Sequence, residues 1–210
     1  MKTCWNCGRA IETDQGGAPL FCPSCNSLQP PPSDYFVLFG LKPRLAISPD
    51  ELQKTFYALS RALHPDRFVR KPEREREYSL EASSVLNDAW RTLRNPVARG
   101  EYVLKQNGFD IGEQRSKNVP PELLEEVFEL NMAIEEVRGG DESARPQLDV
   151  ARANFGKMLG DVDSQLETLF RTWDETQSRD DLAAIRALLN RRKYIQNLVS
   201  EVDALLAPAA

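Results

Sequence analysis

Residues 48 to 68 read SPDELQKTFYALSRALHPDRF, and the two ends of this stretch decide what lies between them. Ser48 can cap a helix, Pro49 suits the first helical position, and Glu51 stands where a capping box needs it. At about 100° per residue, Leu52, Phe56, Leu59 and Leu63 form one apolar stripe, with Lys54 and Arg61 on the opposite face. Pro65 then disfavours helical geometry at His64. The chain's one histidine therefore sits in a stiff tripeptide, His64-Pro65-Asp66, at the end of a helix.

Working outward, a basic loop, RFVRKPE, leads into a second predicted helix over about 73–94, striped by Tyr78, Ala82, Val85, Ala89 and Leu93. The two helices can form an antiparallel hairpin with the tripeptide at its tip. Pro96 opens a short helix to about 106, and 108–121 reads as a linker. Three amphipathic segments follow, at about 121–138, 146–177 and 180–206. Their connections, GGDESA and QSRD, are short enough for antiparallel neighbours in a bundle. Leu148, Ala151, Phe155, Met158, Val162, Leu166, Leu169 and Trp173 make a coiled-coil-like seam on the middle one. From Ser33 onward the expectation is all-α.

The first 28 residues are different. All four cysteines lie within the first 25, as C-x2-C-x14-C-x2-C through Cys4, Cys7, Cys22 and Cys25. Two such turns supply the four thiolates of a structural zinc site, and Gly8 relaxes the backbone after the first. An iron site of the same geometry or a redox dithiol pair are the alternatives. With every position filled by sulfur, no site remains for a reactive water. The metal stands in for a core that 28 residues cannot build. QPPPS (29–33) is expected to act as a spacer, holding this module apart from the helices.

Composition bounds the function. Acidic residues outnumber basic ones, 32 to 27, for a formal charge of −5, which opposes wholesale nucleic-acid binding. No stretch approaches twenty apolar residues, so no membrane span is expected. No signal sequence or transit helix is evident, and a soluble, cytoplasmic protein is expected. His64 lacks a nucleophile and a well-placed orienting acid, so no catalytic residue is assigned. Flanked by Lys54, Arg61, Arg67 and Arg70, the tripeptide reads as a preorganised knuckle suited to an acidic groove on another protein.

A helical wheel separates two faces on the first bundle helix. Leu123, Val127, Leu130, Ile134 and Val137 form its seam. Leu124, Phe128 and Met132 form a second apolar face, edged by Glu125, Glu129 and Glu136. On the last helix, Tyr194 falls off the seam of Ile185, Leu189, Ile195, Val199 and Val202, beside the basic Arg191 to Lys193. Apolar residues framed by charge mark partner sites.

Residues 34–104, from DYFVLFGL through LHPDRF to NDAWRTLRNPVARGEYVL, resemble a J-domain, the module that stimulates ATP hydrolysis by DnaK-type chaperones. The family's signature carries over onto His64, Pro65 and Asp66, and its basic face onto Lys54 and Arg61, although one common basic position is Thr55 here. With the flanking motifs and the C-terminal bundle, the chain from Asp34 onward resembles the HscB family of J-type co-chaperones of iron–sulfur cluster assembly. Some members carry an N-terminal tetracysteine module. The resemblance implies a zinc module at 1–28, a J-domain at 34–108 and a client-binding bundle at 121–207. It also implies two partners, a DnaK/Hsp70-class chaperone and an IscU-type iron–sulfur scaffold. Scaffold-binding positions of the family align with Leu124, Phe128 and Tyr194, while one apolar position of its patch is Glu125 here. A J-protein serving another client, or a zinc-ribbon nucleic-acid binder, is the alternative.

Overall fold

In the computed structural model, which describes residues 2–12, 19–109 and 123–207, the chain divides into two compact units, residues 1–103 and 104–210. Helix α2 (Pro49–Leu63) starts as its sequence requires, with Pro49 in the first turn and the Ser48 side chain accepting from the Glu51 N–H at 3.5 Å. It ends at Leu63, because His64 takes the extended geometry (φ −57°, ψ 129°) that Pro65 favours. Helix α3 (Glu73–Arg94) runs back antiparallel to it. Phe56 stacks on Trp90 at 4.7 Å near one end, and the Ser79 hydroxyl donates to the Leu63 carbonyl at 2.6 Å near the other. A one-turn helix α1 (Tyr35–Leu38), capped by Asp34, buries Phe36 and Leu38, and Tyr35 stacks on Tyr102 of α4 (Pro96–Gln106) at 4.6 Å. Four residues leave no periodicity, so α1 escapes a sequence reading.

Two expectations for this unit need correcting. The buried stripe of α3 is Glu75, Ser79, Ala82, Leu86, Ala89 and Leu93, with Tyr78 and Val85 only half-buried. Polar residues occupy its first two places because they carry hydrogen bonds, which a hydrophobic pattern does not register. The spacer, moreover, does not isolate the module. The module is a two-stranded antiparallel ribbon, β1 (Lys2–Thr3) and β2 (Ala10–Ile11), plus a bridge between Phe21 and Leu28. It packs on α3: Trp5 meets Tyr78 edge-on at 6.1 Å, and the Arg74 guanidinium lies 5.3 Å over the Trp5 ring. The Trp5 indole N–H donates to the Leu28 carbonyl at 2.7 Å, and the Leu28 N–H donates to the buried Glu75 carboxylate at 3.4 Å.

The second unit is a bundle of α5 (Leu124–Arg138), α6 (Arg145–Thr176) and α7 (Arg179–Leu206). The α5 seam is buried as expected, apart from a half-buried Val137, and Ala133 joins it. On α6 the seam is Leu148, Phe155, Val162, Leu166, Phe170 and Trp173; Ala151, Met158 and Leu169 are half-buried. On α7 Leu182 joins the seam, and Leu198 rather than Val199 is its buried member. Before that position, Arg192 lies in line with the seam and forks onto Asp163 of α6 at 2.6 and 3.2 Å. The α6–α7 turn is tight: Gln177 adopts left-handed geometry and Ser178 caps α7. No helix among the described residues is long and apolar enough to cross a membrane.

The contact between module and α3 can be tested in the full chain. Trp5→Ala and Glu75→Ala should each lower its stability by about 1–3 kcal/mol, through lost aromatic packing or a stranded buried N–H. Urea midpoints equal to the parent's would show that the module hangs free of α3.

Candidate functional site

The four cysteines converge. Each CxxC turn closes in the same way: the Gly8 N–H bonds the Cys4 carbonyl at 3.0 Å, and the Asn26 N–H bonds the Cys22 carbonyl at 2.8 Å. Each turn then ends on a left-handed residue, Gly8 at φ 71° and Asn26 at φ 57°. Glycine takes that geometry freely and asparagine tolerates it better than most. Asn26 is thus the second turn's counterpart of Gly8, a role that the sequence reading missed and that its place right after Cys25 signals.

The sulfurs Cys4–Cys25 and Cys7–Cys22 stand 3.6 and 3.8 Å apart, and all four ligand atoms lie within 4.8 Å of one another. A tetrahedral ion with bonds of about 2.3 Å sets its sulfurs about 3.8 Å apart, so the residues fit such an ion. Asn6 N–H and Gln29 Nε2 both reach Cys4 Sγ at 3.4 Å, and Asn6 Nδ2 reaches Cys25 Sγ at 3.7 Å. These donors support negative charge on sulfur. The Ser27 hydroxyl and N–H pull the Cys25 thiol down to about 6. For Cys7 the Arg9 N–H lowers the value, but desolvation and the other three sulfurs outweigh it and push the thiol up to about 11. A cation at the centre relieves that conflict by stabilising every thiolate at once.

The tripeptide lies at the far end of α2. His64 closes α2 and opens a short 3-10 turn, Pro65–Phe68, whose Phe68 is buried. The ring caps this turn, with Nδ1 accepting from the Asp66 N–H at 3.3 Å. Nδ1 is therefore occupied, and Nε2 is the ring atom left for a partner. The Asp66 carboxylate is nearer than its place across a proline suggests, 3.5 Å from Nδ1, yet both side chains are largely exposed. Lys54, Arg61, Arg67 and Arg70 are exposed as well, and none pairs with a carboxylate among the described residues. This is a positive margin around a rigid polar tip.

On α5, Leu124, Phe128 and Met132 are 55, 65 and 51% exposed, too open to be a wide core stripe. Glu125, Glu129 and Glu136 are exposed with them. Tyr194 differs: it is half-buried on α7, and desolvation raises its phenol. Val150 of α6, 60% exposed, is an apolar surface residue that the wheel of α5 could not reveal.

Comparison with known proteins bears on the module, the bundle and the chain as a whole. Residues 3–29 match the model of the co-chaperone HscB tetracysteine metal binding motif, and residues 119–203 that of the HSCB C-terminal oligomerisation domain. The iron-sulfur cluster co-chaperone protein HscB of Mus musculus is 29% identical over 98% of this chain and 83% of its own length. The HscB homolog of Arabidopsis thaliana is 32% identical over 95% of this chain and 72% of its own. The crystal structure of the human co-chaperone protein HscB superposes with a TM-score of 0.70 at 26% identity, covering 99% of this chain and all of that one. The matched tetracysteine motif and C-terminal bundle, with similarity across nearly the whole length, place the chain in the HscB family of iron–sulfur cluster co-chaperones.

Proposed function

We propose that this protein is a two-ended adaptor. Its J-domain docks on an ATP-bound Hsp70-class chaperone and promotes hydrolysis, and its bundle brings an IscU-type iron–sulfur scaffold to that chaperone. The observation that carries the reading is the tip itself: an exposed histidine held by its own turn, within a margin of unpaired cations. A preorganised tip loses little conformational freedom on docking, and unpaired cations steer it toward an acidic surface. His64, Pro65 and Asp66 make the contact; Lys54, Arg61 and Arg67 guide the approach. On the bundle, Leu124, Phe128 and Met132 offer apolar area to the scaffold, with Glu129 beside them and Tyr194 contributing from α7. Carrying both sites on one chain raises the local concentration of scaffold at the chaperone. No step of this scheme needs chemistry from the adaptor. The tetracysteine centre holds one structural zinc, which four sulfurs close to any further ligand.

Stimulation of the chaperone's ATPase is the decisive measurement. His64→Gln should reduce it to the unstimulated rate with helical content and scaffold binding unchanged; normal stimulation by this variant would end the J-domain reading. Lys54→Glu and Arg61→Glu should weaken docking most at low salt, since exposed charges are screened.

Leu124→Ala with Phe128→Ala should abolish scaffold binding while changing stability by no more than about 0.5 kcal/mol per site, as expected for exposed positions. A large fall in melting temperature would instead mark them as core.

Metal analysis should find about one zinc per chain. Affinity should fall as pH falls, because protons compete for the thiolates. Removing the metal should lower the stability of the helical hairpin too, since the module packs on α3; loss confined to residues 1–28 would contradict that coupling.

A further inference from the structure

The four sulfurs of the module are not equivalent. Cys4 and Cys22 are buried, Cys25 is half-buried and Cys7 is exposed. Donors divide them along another line. Cys4 Sγ receives the Asn6 N–H and Gln29 Nε2, and Gln29 is itself buried and donates to the Ser27 carbonyl at 2.8 Å. Cys25 Sγ faces the Asn6 side-chain amide at 3.7 Å and the Ser27 hydroxyl at 3.4 Å. Among the described residues, no side-chain amide or hydroxyl reaches Cys7 or Cys22, whose sulfurs stand 3.8 Å apart. One pair is wrapped by side-chain donors; the other is bare and opens to solvent through Cys7. A donor that stabilises a thiolate also weakens it as a nucleophile. Oxidation of cysteine follows thiolate character and exposure together, and Cys7 is where both are greatest.

We infer that Cys7 is the point at which a peroxide attacks the module, and that Cys22 resolves the product into a disulfide that releases the metal. The inference rests on the reading of the tetracysteine centre as a zinc site. The Cys7 thiolate attacks one peroxide oxygen; the O–O bond breaks, and the departing hydroxide takes up a proton and leaves as water. Cys22 then attacks the sulfur of the resulting sulfenic acid. The S–S bond forms, the S–O bond breaks, and a second hydroxide takes up a proton and leaves as water. Two thiolates have lost two electrons, which reduce one peroxide to two waters. Cys22 is the resolving partner because it is the near sulfur that no side chain guards, and an attack within the module needs no access from solvent. Cys4 and Cys25 remain, too few to fill the tetrahedral shell of zinc. The new bond ties the same two CxxC turns that the metal tied, and reducing it restores four ligands. The module is thereby an oxidant-responsive zinc store, with its lability confined to one pair of sulfurs.

The test uses the full chain, analysed for zinc before treatment and then exposed to hydrogen peroxide beside a chromophoric chelator. Remaining thiols are alkylated and disulfides are mapped by mass spectrometry. One zinc should appear for every two thiols lost, the mapped bond should be Cys7–Cys22, and a thiol reductant with added zinc should restore the starting metal content. Gln29→Met keeps the length of the side chain and removes its donor to Cys4. Loaded with zinc and treated alike, this variant should release the metal about threefold faster or more, with Cys4 now present among the mapped bonds. A first bond between Cys4 and Cys25, or between Cys4 and Cys7, in the parent overturns the inference, as does zinc retained after two thiols are lost. Parent-like rate and product in Gln29→Met show that the donors guard nothing, and overturn it too. A chain that carries no zinc before treatment ends the zinc reading and the inference together; a zinc-loaded chain that resists peroxide ends the inference alone.

Discussion

The hydrogen bond from the buried Ser79 hydroxyl to the Leu63 carbonyl, reinforced by Ser83 at 3.3 Å, holds the tripeptide end of the first unit in place. A helix that stops at a proline leaves its last carbonyls without intrahelical partners. Here one of them is satisfied by the neighbouring helix rather than by water. Because Leu63 immediately precedes His64, fixing that carbonyl also fixes where the tripeptide begins. The 3-10 turn and the buried Phe68 fix where it ends. A loop tethered on both sides can present polar side chains to a partner without ordering them on contact.

The metal centre and Glu75 solve a related problem. A module of fewer than thirty residues has almost no apolar interior; its buried cluster is Cys4, Ile11 and Cys22, with Cys25 against it. Metal ligation supplies the cross-links, and α3 supplies the missing wall. The buried Glu75 carboxylate is tolerable there because it accepts the Leu28 N–H, and Trp5 and Arg74 cover the edge of the contact. The bundle needs no such help, having long seams of its own.

What could be read from the chain follows from what kind of signal each feature leaves. The helices of hairpin and bundle repeat an apolar residue every three or four positions, so their extents were legible to within a few residues. The cysteine spacing was legible because metal geometry leaves little freedom. Ser79 and Glu75 were not, since a buried polar residue looks like a surface one until its partner is known. Leu86, Phe170 and Leu198 took places assigned to Val85, Leu169 and Val199; neighbouring apolar residues compete for one seam position, and packing between helices decides. The docking of the module on α3 was hidden for another reason. Its partners are far apart in sequence, and the intervening prolines suggested separation. The exposed face of α5 was legible from one helix, whereas Val150 required knowing which side of α6 faces it.

That separation has a consequence for how the chain is made. Leu28 and Glu75, whose contact anchors the module, lie 47 residues apart. A ribosome releases the cysteines well before it releases α3, so the module can acquire its metal while the wall it will lean on does not yet exist. Contacts of such long range are slow to form, because a loop must close before they contribute. The α6–α7 hairpin, built from adjacent segments and a tight turn, bears no such delay. The later hairpin is therefore able to fold at once, while the earlier module must wait for its support.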